Sequence, residues 1–137
     1  MNIQQKDYPV KISQQLVAII SKELAKSEVD ISEGFIINFR DPDYSAESGG
    51  YHPVEIGVDA KGRIQYITDF AYYGQGSYAE LDKELDFDFG YGVFQQMGRE
   101  YPIKQGASLF RIWQATFALI IGAKCFRSVF SQCDTYG

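Results

Sequence analysis

The chain has 137 residues and a mass of 15.5 kDa, which predicts one domain spanning residues 1–137. Hydrophobic residues make up 45% of it and include ten Tyr, ten Phe and one Trp, so an intrinsically disordered protein is excluded. Thirteen basic residues against 18 acidic ones give a net charge of −5. This balance disfavours nucleic acids as partners, because their phosphate backbone attracts basic proteins.

The apolar segments of the chain are short. The longest, residues 115–123, contains one Thr and is well below the ~20 residues that cross a bilayer. Residues 1–13 hold no apolar stretch typical of a signal peptide. Cys125 and Cys133 lack the close paired spacing of a zinc cage. We therefore expect a cytoplasmic protein with free thiols and no contact with a membrane.

Helical patterns occur near both ends of the chain. Leu16, Ile20 and Leu24 recur at helical spacing behind Ser13, a favoured N-cap residue, and predict a helix that ends near residue 27. A second apolar stripe, which includes Trp113 and follows Pro102, predicts a helix over about residues 107–126.

Between the two helices, apolar and polar residues alternate as they do in strands. The alternating runs begin near Phe35, Val54, Ile64, Leu85 and Val93. Residues 59–62 separate two of these runs and end in Gly62, which predicts a tight antiparallel hairpin. The order of elements predicts the α+β class, with an antiparallel sheet of five to seven strands flanked by an N-terminal and a C-terminal helix.

Residues 40–52 form the densest cluster of polar functional groups, between two predicted strands. Long loops on rigid sheets often carry function. Its candidate binding residues are Arg40, Asp41, Asp43, Tyr44, Glu47 and His52. His52 is the only histidine, so a metal site with several histidines cannot form within one chain. Two interpretations stay open for it: a structural hydrogen bond at the start of a strand, or a general base oriented by Glu47 or Glu55.

A second candidate is the acidic run Glu80, Asp82, Glu84, Asp86 and Asp88. In a regular strand, alternate residues point to one face, so these carboxylates are expected to form a single row. We take Asp82, Glu84, Asp86 and Asp88 as binding candidates, because a row of like charges attracts a basic partner. The alternative is a solvated strand face with protective charges.

The residues 37–56, together with Ile67-Thr68-Asp69-Phe70 and residues 85–89, resemble a gammaproteobacterial family of unknown function found on mobile elements and pathogenicity islands. The resemblance covers roughly residues 16–117. It implies a fold similar to the mitochondrial acidic matrix protein, also described as a complement-binding protein, in which terminal helices flank a twisted antiparallel sheet. That family has no assigned catalytic residues, and its distant mitochondrial relatives are acidic trimers that bind varied proteins.

These observations favour a non-enzymatic, acidic binding or adaptor protein that acts through protein–protein contacts and self-associates. We predict no catalytic residue, no metal ion and no cofactor. The alternative function is a small metal-dependent or hydrolytic enzyme that uses the loop from Asp41 to His52.

Overall fold

In the part of the chain that the structure describes, the fold consists of a seven-stranded sheet and two α-helices. The computed structural model describes residues 1–42, 44, 52–73, 80–123 and 127–132. The helices are α1 (Gln14–Lys26) and α2 (Ala107–Ala123), the latter preceded by a 3-10 turn (Ile103–Gly106). The strands are β1 (Phe35–Arg40), β2 (Val54–Val58), β3 (Ile64–Tyr73), β4 (Glu80–Asp88), β5 (Val93–Gln96), β6 (Arg99–Pro102) and β7 (Arg127–Gln132).

The strand order is β6-β5-β4-β3-β2-β1-β7, and every neighbouring pair is antiparallel. The first six strands therefore form a meander, and the chain returns after α2 to pair β7 with β1. The predicted α+β fold is confirmed, with a strand number at the upper end of the predicted range. The predicted C-terminal helix is confirmed over Ala107–Ala123; residues 124–126 lie outside the described residues, and residues 127–132 are extended against β1.

Both helices pack on one face of the sheet. Leu16 and Ile20 of α1 are buried in the core, as is the inward stripe of α2. The rings of Phe39 and Phe117 lie 5.2 Å apart, and those of Phe87 and Phe110 lie 4.8 Å apart. Strand alternation places the other side chains on the opposite face, which we call the outer face. Among the residues of the outer face are Glu55, Tyr66, Thr68, Asp86, Asp88, Gln95 and Glu100.

Ser13 caps helix α1 as predicted, since its Oγ accepts a hydrogen bond from the Leu16 amide at 3.1 Å. The buried Gln114 of α2 also contacts this turn. Its Oε1 accepts from the Ser13 amide at 2.7 Å, and its Nε2 donates to the Lys11 carbonyl at 3.1 Å. One side chain thus fixes the beginning of α1 against α2.

Among the described residues, neither helix is long and apolar enough to cross a membrane.

The predicted hairpin between β2 and β3 is confirmed. Asp59 accepts hydrogen bonds from the amides of Lys61 and Arg63, both at 2.9 Å. Gly62 adopts a φ of 85°, in the left-handed region that favours glycine. Its carbonyl accepts a hydrogen bond of 2.8 Å from the Gln4 amide, so the N-terminal segment lies against the hairpin.

Candidate functional site

Among the described residues, His52, which precedes β2, lies in a group of interacting titratable side chains. Its Nδ1 lies 2.8 Å from Asp69 Oδ1 and 2.9 Å from Glu84 Oε2. Asp69 belongs to β3 and is paired with Val54, the first residue of β2. His52 lies two positions before Val54 in the sequence. We call His52, Asp69 and Glu84 the His52 cluster. Its members come from three separate segments of the chain.

A β-bulge in β4 accounts for the position of Glu84. Leu85 pairs with Asp69 and Lys83 pairs with Phe70, so Glu84 is an extra residue between two ladder positions. A bulge of this kind interrupts the regular alternation and redirects the side chain at that point. Glu84 can therefore reach His52 beside Asp69.

Helix α2 contacts the second oxygen of the Asp69 carboxylate. Trp113 donates a hydrogen bond of 2.9 Å from its indole Nε1 to Asp69 Oδ2. The Trp113 ring is only 8% exposed and stacks on Phe117 at 5.0 Å. The two Asp69 oxygens thus have different partners, and the direction in which Oδ1 faces His52 is set by a packed core residue.

The electrostatics of the cluster favour a cation at His52. Its hydrogen bond to Asp69 raises the pKa of His52 above the ordinary value of 6.5, against the lowering effect of partial burial. The negative charges of Asp69 and Glu84 raise this pKa further. Because ionised carboxylates only accept hydrogen bonds, we assign the proton to Nδ1. The cluster therefore combines an oriented imidazole with two acceptor groups.

The structure brings part of the predicted polar loop to this cluster. The rings of Tyr44 and His52 are 5.6 Å apart. Asp41 is buried, with 5% of its surface exposed, and its carbonyl accepts from the Tyr44 amide at 3.0 Å. Arg40 is exposed at the end of β1. Asp43 and Glu47 lie outside the described residues.

Glu55 is not the partner of His52, so that part of the prediction is wrong. Its carboxylate accepts a hydrogen bond of 2.7 Å from the Tyr66 hydroxyl, on the outer face. The residues that do bind His52 include Asp69, which the sequence analysis did not select. The sequence held no signal for it: alternation from Ile64 places Asp69 on the polar face, and only a register shift between β2 and β3 turns its side chain toward the helices.

The expected single row of carboxylates on β4 is also wrong. Asp86 pairs with Thr68 and Lys83 pairs with Phe70, which places Lys83 and Asp86 on the same face. Asp82 pairs with Ala71 and lies on the other side of the sheet by register. The physical reason is the bulge at Glu84, which reverses the alternation between the two halves of the strand.

The carboxylates of β4 instead line two neighbouring grooves. The first, about 410 Å³, includes Asp82 and Glu84, and the second, about 470 Å³, includes Asp86 and Asp88. Lys83 and Gln95 contribute to both. The second groove also contains Glu100 of β6, a carboxylate that the sequence analysis did not select, since only the strand register places it beside β4. We call the second groove the acidic groove.

Comparisons with known proteins agree with this fold. The protein VC0508 from the VSP-II pathogenicity island of Vibrio cholerae is 31% identical, with a TM-score of 0.80 over 93% of this chain and 99% of that chain. The protein VC1805 from pathogenicity island VPI-2 of Vibrio cholerae is 33% identical, with a TM-score of 0.77 over 92% of this chain and 98% of that chain. The latter is described as sharing structural homology with the human P32 protein.

The resemblance to a family known from pathogenicity islands, with a P32-like fold, is therefore confirmed. No curated protein matches the chain. Residues 14–131 match the family described as "Protein of unknown function (DUF2787)". Because this match spans most of the sequence, the chain belongs to the DUF2787 family.

Proposed function

We propose that this protein is a non-enzymatic binding protein, whose acidic groove docks a basic segment of a partner protein. The observation that carries the proposal is the charge of that groove. Asp86, Asp88 and Glu100 line it together with one cation, Lys83. The Lys83 ammonium already lies 3.5 Å from Asp86, so a net negative charge is available to an incoming Lys or Arg.

Two of the groove carboxylates are held in place before any partner arrives. Asp86 accepts a hydrogen bond of 2.8 Å from Thr68, whose side chain is buried in the sheet. Asp88 accepts a hydrogen bond of 2.9 Å from the Tyr91 amide in the following turn. Acceptors that are already oriented lower the entropy lost on binding, which favours recognition of a cationic side chain at this position.

The rim of the groove adds an aromatic contact. Tyr91 is 87% exposed, although large aromatic side chains more often have much of their ring covered. An aromatic face beside carboxylates suits an Arg or Lys side chain, since the cation contacts the ring while its charged end meets the carboxylates. The cytoplasmic location and the self-association expected from the sequence belong to the same proposal.

The proposal is tested by affinity capture from the native cell, with quantitative mass spectrometry of the bound proteins. The groove variant is Asp88→Asn/Glu100→Gln, and the matched control is Glu28→Gln/Glu33→Gln. Both remove two negative charges, but Glu28 and Glu33 are exposed in the connection between α1 and β1. We expect one or more proteins to be retained by the wild type and the control, released by the groove variant, and weakened by added salt. Equal capture by all three chains would contradict the proposal.

A further inference from the structure

We propose that the His52 cluster binds one divalent transition-metal ion through His52 Nδ1, one oxygen of Asp69 and one oxygen of Glu84. These three ligand atoms lie within 4.8 Å of one another. The inference is independent of the acidic groove, which neither His52 nor Asp69 lines. It also differs from the site expected in the polar loop, because two of its ligands come from the sheet.

The distances in the cluster suit a metal ion. Transition metals bind nitrogen and carboxylate oxygen at roughly 2.0–2.2 Å. With the observed N–O separations of 2.8 and 2.9 Å, such an ion would form angles of about 80–90° between His52 and each carboxylate. Angles of about 90° between His52 and each carboxylate are those of neighbouring ligands on a five- or six-coordinate ion. The metal would take the position of the Nδ1 proton with little movement of the strands.

The charge of the cluster also favours a divalent metal ion. A neutral imidazole and two carboxylates carry −2, which a divalent ion neutralises, whereas a proton on His52 leaves −1. In the described part of the chain, the ion pairs of Asp69 and Glu84 involve His52 and no Lys or Arg. Lys83, next in sequence to Glu84, contacts Asp86 on the outer face instead. The cluster thus keeps a negative charge that a divalent ion in place of the proton would neutralise.

Trp113 hydrogen-bonds to one of the proposed ligands, as residues around metal sites commonly do. Its indole N–H binds Asp69 Oδ2 at 2.9 Å, which leaves Oδ1 directed at His52. Partners of this kind orient a ligating carboxylate and contribute to metal affinity. One face of the cluster is also accessible, since the side chains of His52 and Glu84 are 39% and 38% exposed. Water can therefore complete the coordination.

The ligand types narrow the choice of ion. One imidazole nitrogen and two carboxylate oxygens suit Zn²⁺, Mn²⁺ or Fe²⁺, whereas Ca²⁺ prefers six to eight oxygen ligands. Zn²⁺ should bind more tightly than Mn²⁺, in the order that these ions follow at most nitrogen and oxygen sites. Mn²⁺ is nevertheless the better probe of position, because its unpaired electrons broaden the NMR signals of nearby nuclei.

The affinity test is calorimetric titration of the full chain with Zn²⁺ alone at neutral pH. We expect one ion per chain, and a loss of at least about a hundredfold in affinity for His52→Ala and Glu84→Gln, since even an outer partner contributes about 10–100-fold. Glu33→Gln is the control, because it removes an exposed carboxylate in the connection between α1 and β1, outside both the His52 cluster and the acidic groove. Its affinity should equal that of the wild type.

The position test adds Mn²⁺ and follows the Trp113 indole N–H signal, the only one of its kind in the chain. This signal should broaden at low Mn²⁺ in the wild type and stay sharp in Glu84→Gln, whose retained fold is checked by the remaining amide signals. Zn²⁺ binding that is unchanged in His52→Ala, or broadening that is unchanged in Glu84→Gln, would overturn the proposal. So would the absence of binding to the wild type.

Discussion

Trp113 donates an indole hydrogen bond of 2.9 Å to Asp69, and this bond joins helix α2 to the strand that carries the His52 cluster. A Trp113→Phe variant keeps an aromatic ring in the stack between Phe110 and Phe117 but removes the donor. A poorly exposed carboxylate oxygen is then left without its partner, which should lower the free energy of unfolding by about 1–3 kcal/mol. Urea unfolding followed by far-UV circular dichroism measures this loss.

Tyr66→Phe is the control for that variant. It removes a hydroxyl whose 2.7 Å hydrogen bond to Glu55 lies on the half-exposed outer face. Water can replace a partner there more easily than beside Trp113, so a smaller loss of unfolding free energy is expected. Equal losses in the two variants would show that the Trp113–Asp69 bond has no special weight in the fold.

The stability of the protein should depend on pH through His52. The hydrogen bond to Asp69 raises its pKa in the folded state above the ordinary 6.5. The folded protein then holds this proton more tightly than the unfolded chain does. The resulting stabilisation is complete below about pH 6.5 and is lost as the pH rises through the higher folded value.

NMR titration of the imidazole measures this effect directly, because His52 is the only histidine and its ring signals cannot be confused with others. Asp69→Asn should lower the pKa of His52. The amide oxygen of the Asn can still accept the hydrogen bond from Trp113. Glu84→Gln should lower it less, since the Asp69 hydrogen bond is the largest contribution. A folded-state pKa below 6.5 in the wild type, or one unchanged by Asp69→Asn, would contradict the assignment.

Local sequence signals were sufficient for most of the sheet and for both helices. Ser13 caps α1, Gly62 closes the hairpin, and alternating residues of β1 and β2 face the core, because each depends on neighbours in sequence. Strand β7 was not predicted. Its six residues are extended because they pair with the edge of β1, which lies in a distant part of the sequence, and pairing of that kind overrides local preference.

Only part of the candidate site could be predicted from the sequence, because its contacts also depend on pairing between distant segments. His52 and Glu84 were selected as separate candidates, but their contact requires the bulge that shifts the register of β4 against β3. No short pattern of residue types identifies that shift. Asp69 was not selected, because alternation from Ile64 does not place it on the helix-facing side of β3, where the register puts it and where Trp113 provides a donor.

Self-association, predicted from the sequence, is testable at helix α2. Ile112 and Leu119 are 60% and 75% exposed and lie two turns apart on the same side of the helix. A contact between copies would remove this apolar surface from water. We expect multi-angle light scattering to give a mass above 15.5 kDa for the wild type and a lower mass for Leu119→Lys.

Met97→Lys is the matched control for Leu119→Lys, since Met97 is 68% exposed after β5 and the change in charge is the same. It should leave the mass of the wild type unaltered. A monomeric wild type, or equal masses for the two variants, would exclude this face of α2 as the contact.

Two glycines in left-handed conformations allow the cost of backbone strain to be measured apart from the cost of steric contact. Gly62 has a φ of 85° and Gly92 a φ of 71°. A Cβ at Gly62 would collide with the Asn2 carbonyl oxygen, whereas one at Gly92 meets nothing within 4 Å. Gly92→Ala should therefore cost about 1–2 kcal/mol from the backbone alone. Gly62→Ala should cost more in urea unfolding, because the N-terminal segment must also move; equal costs would show that this segment yields freely.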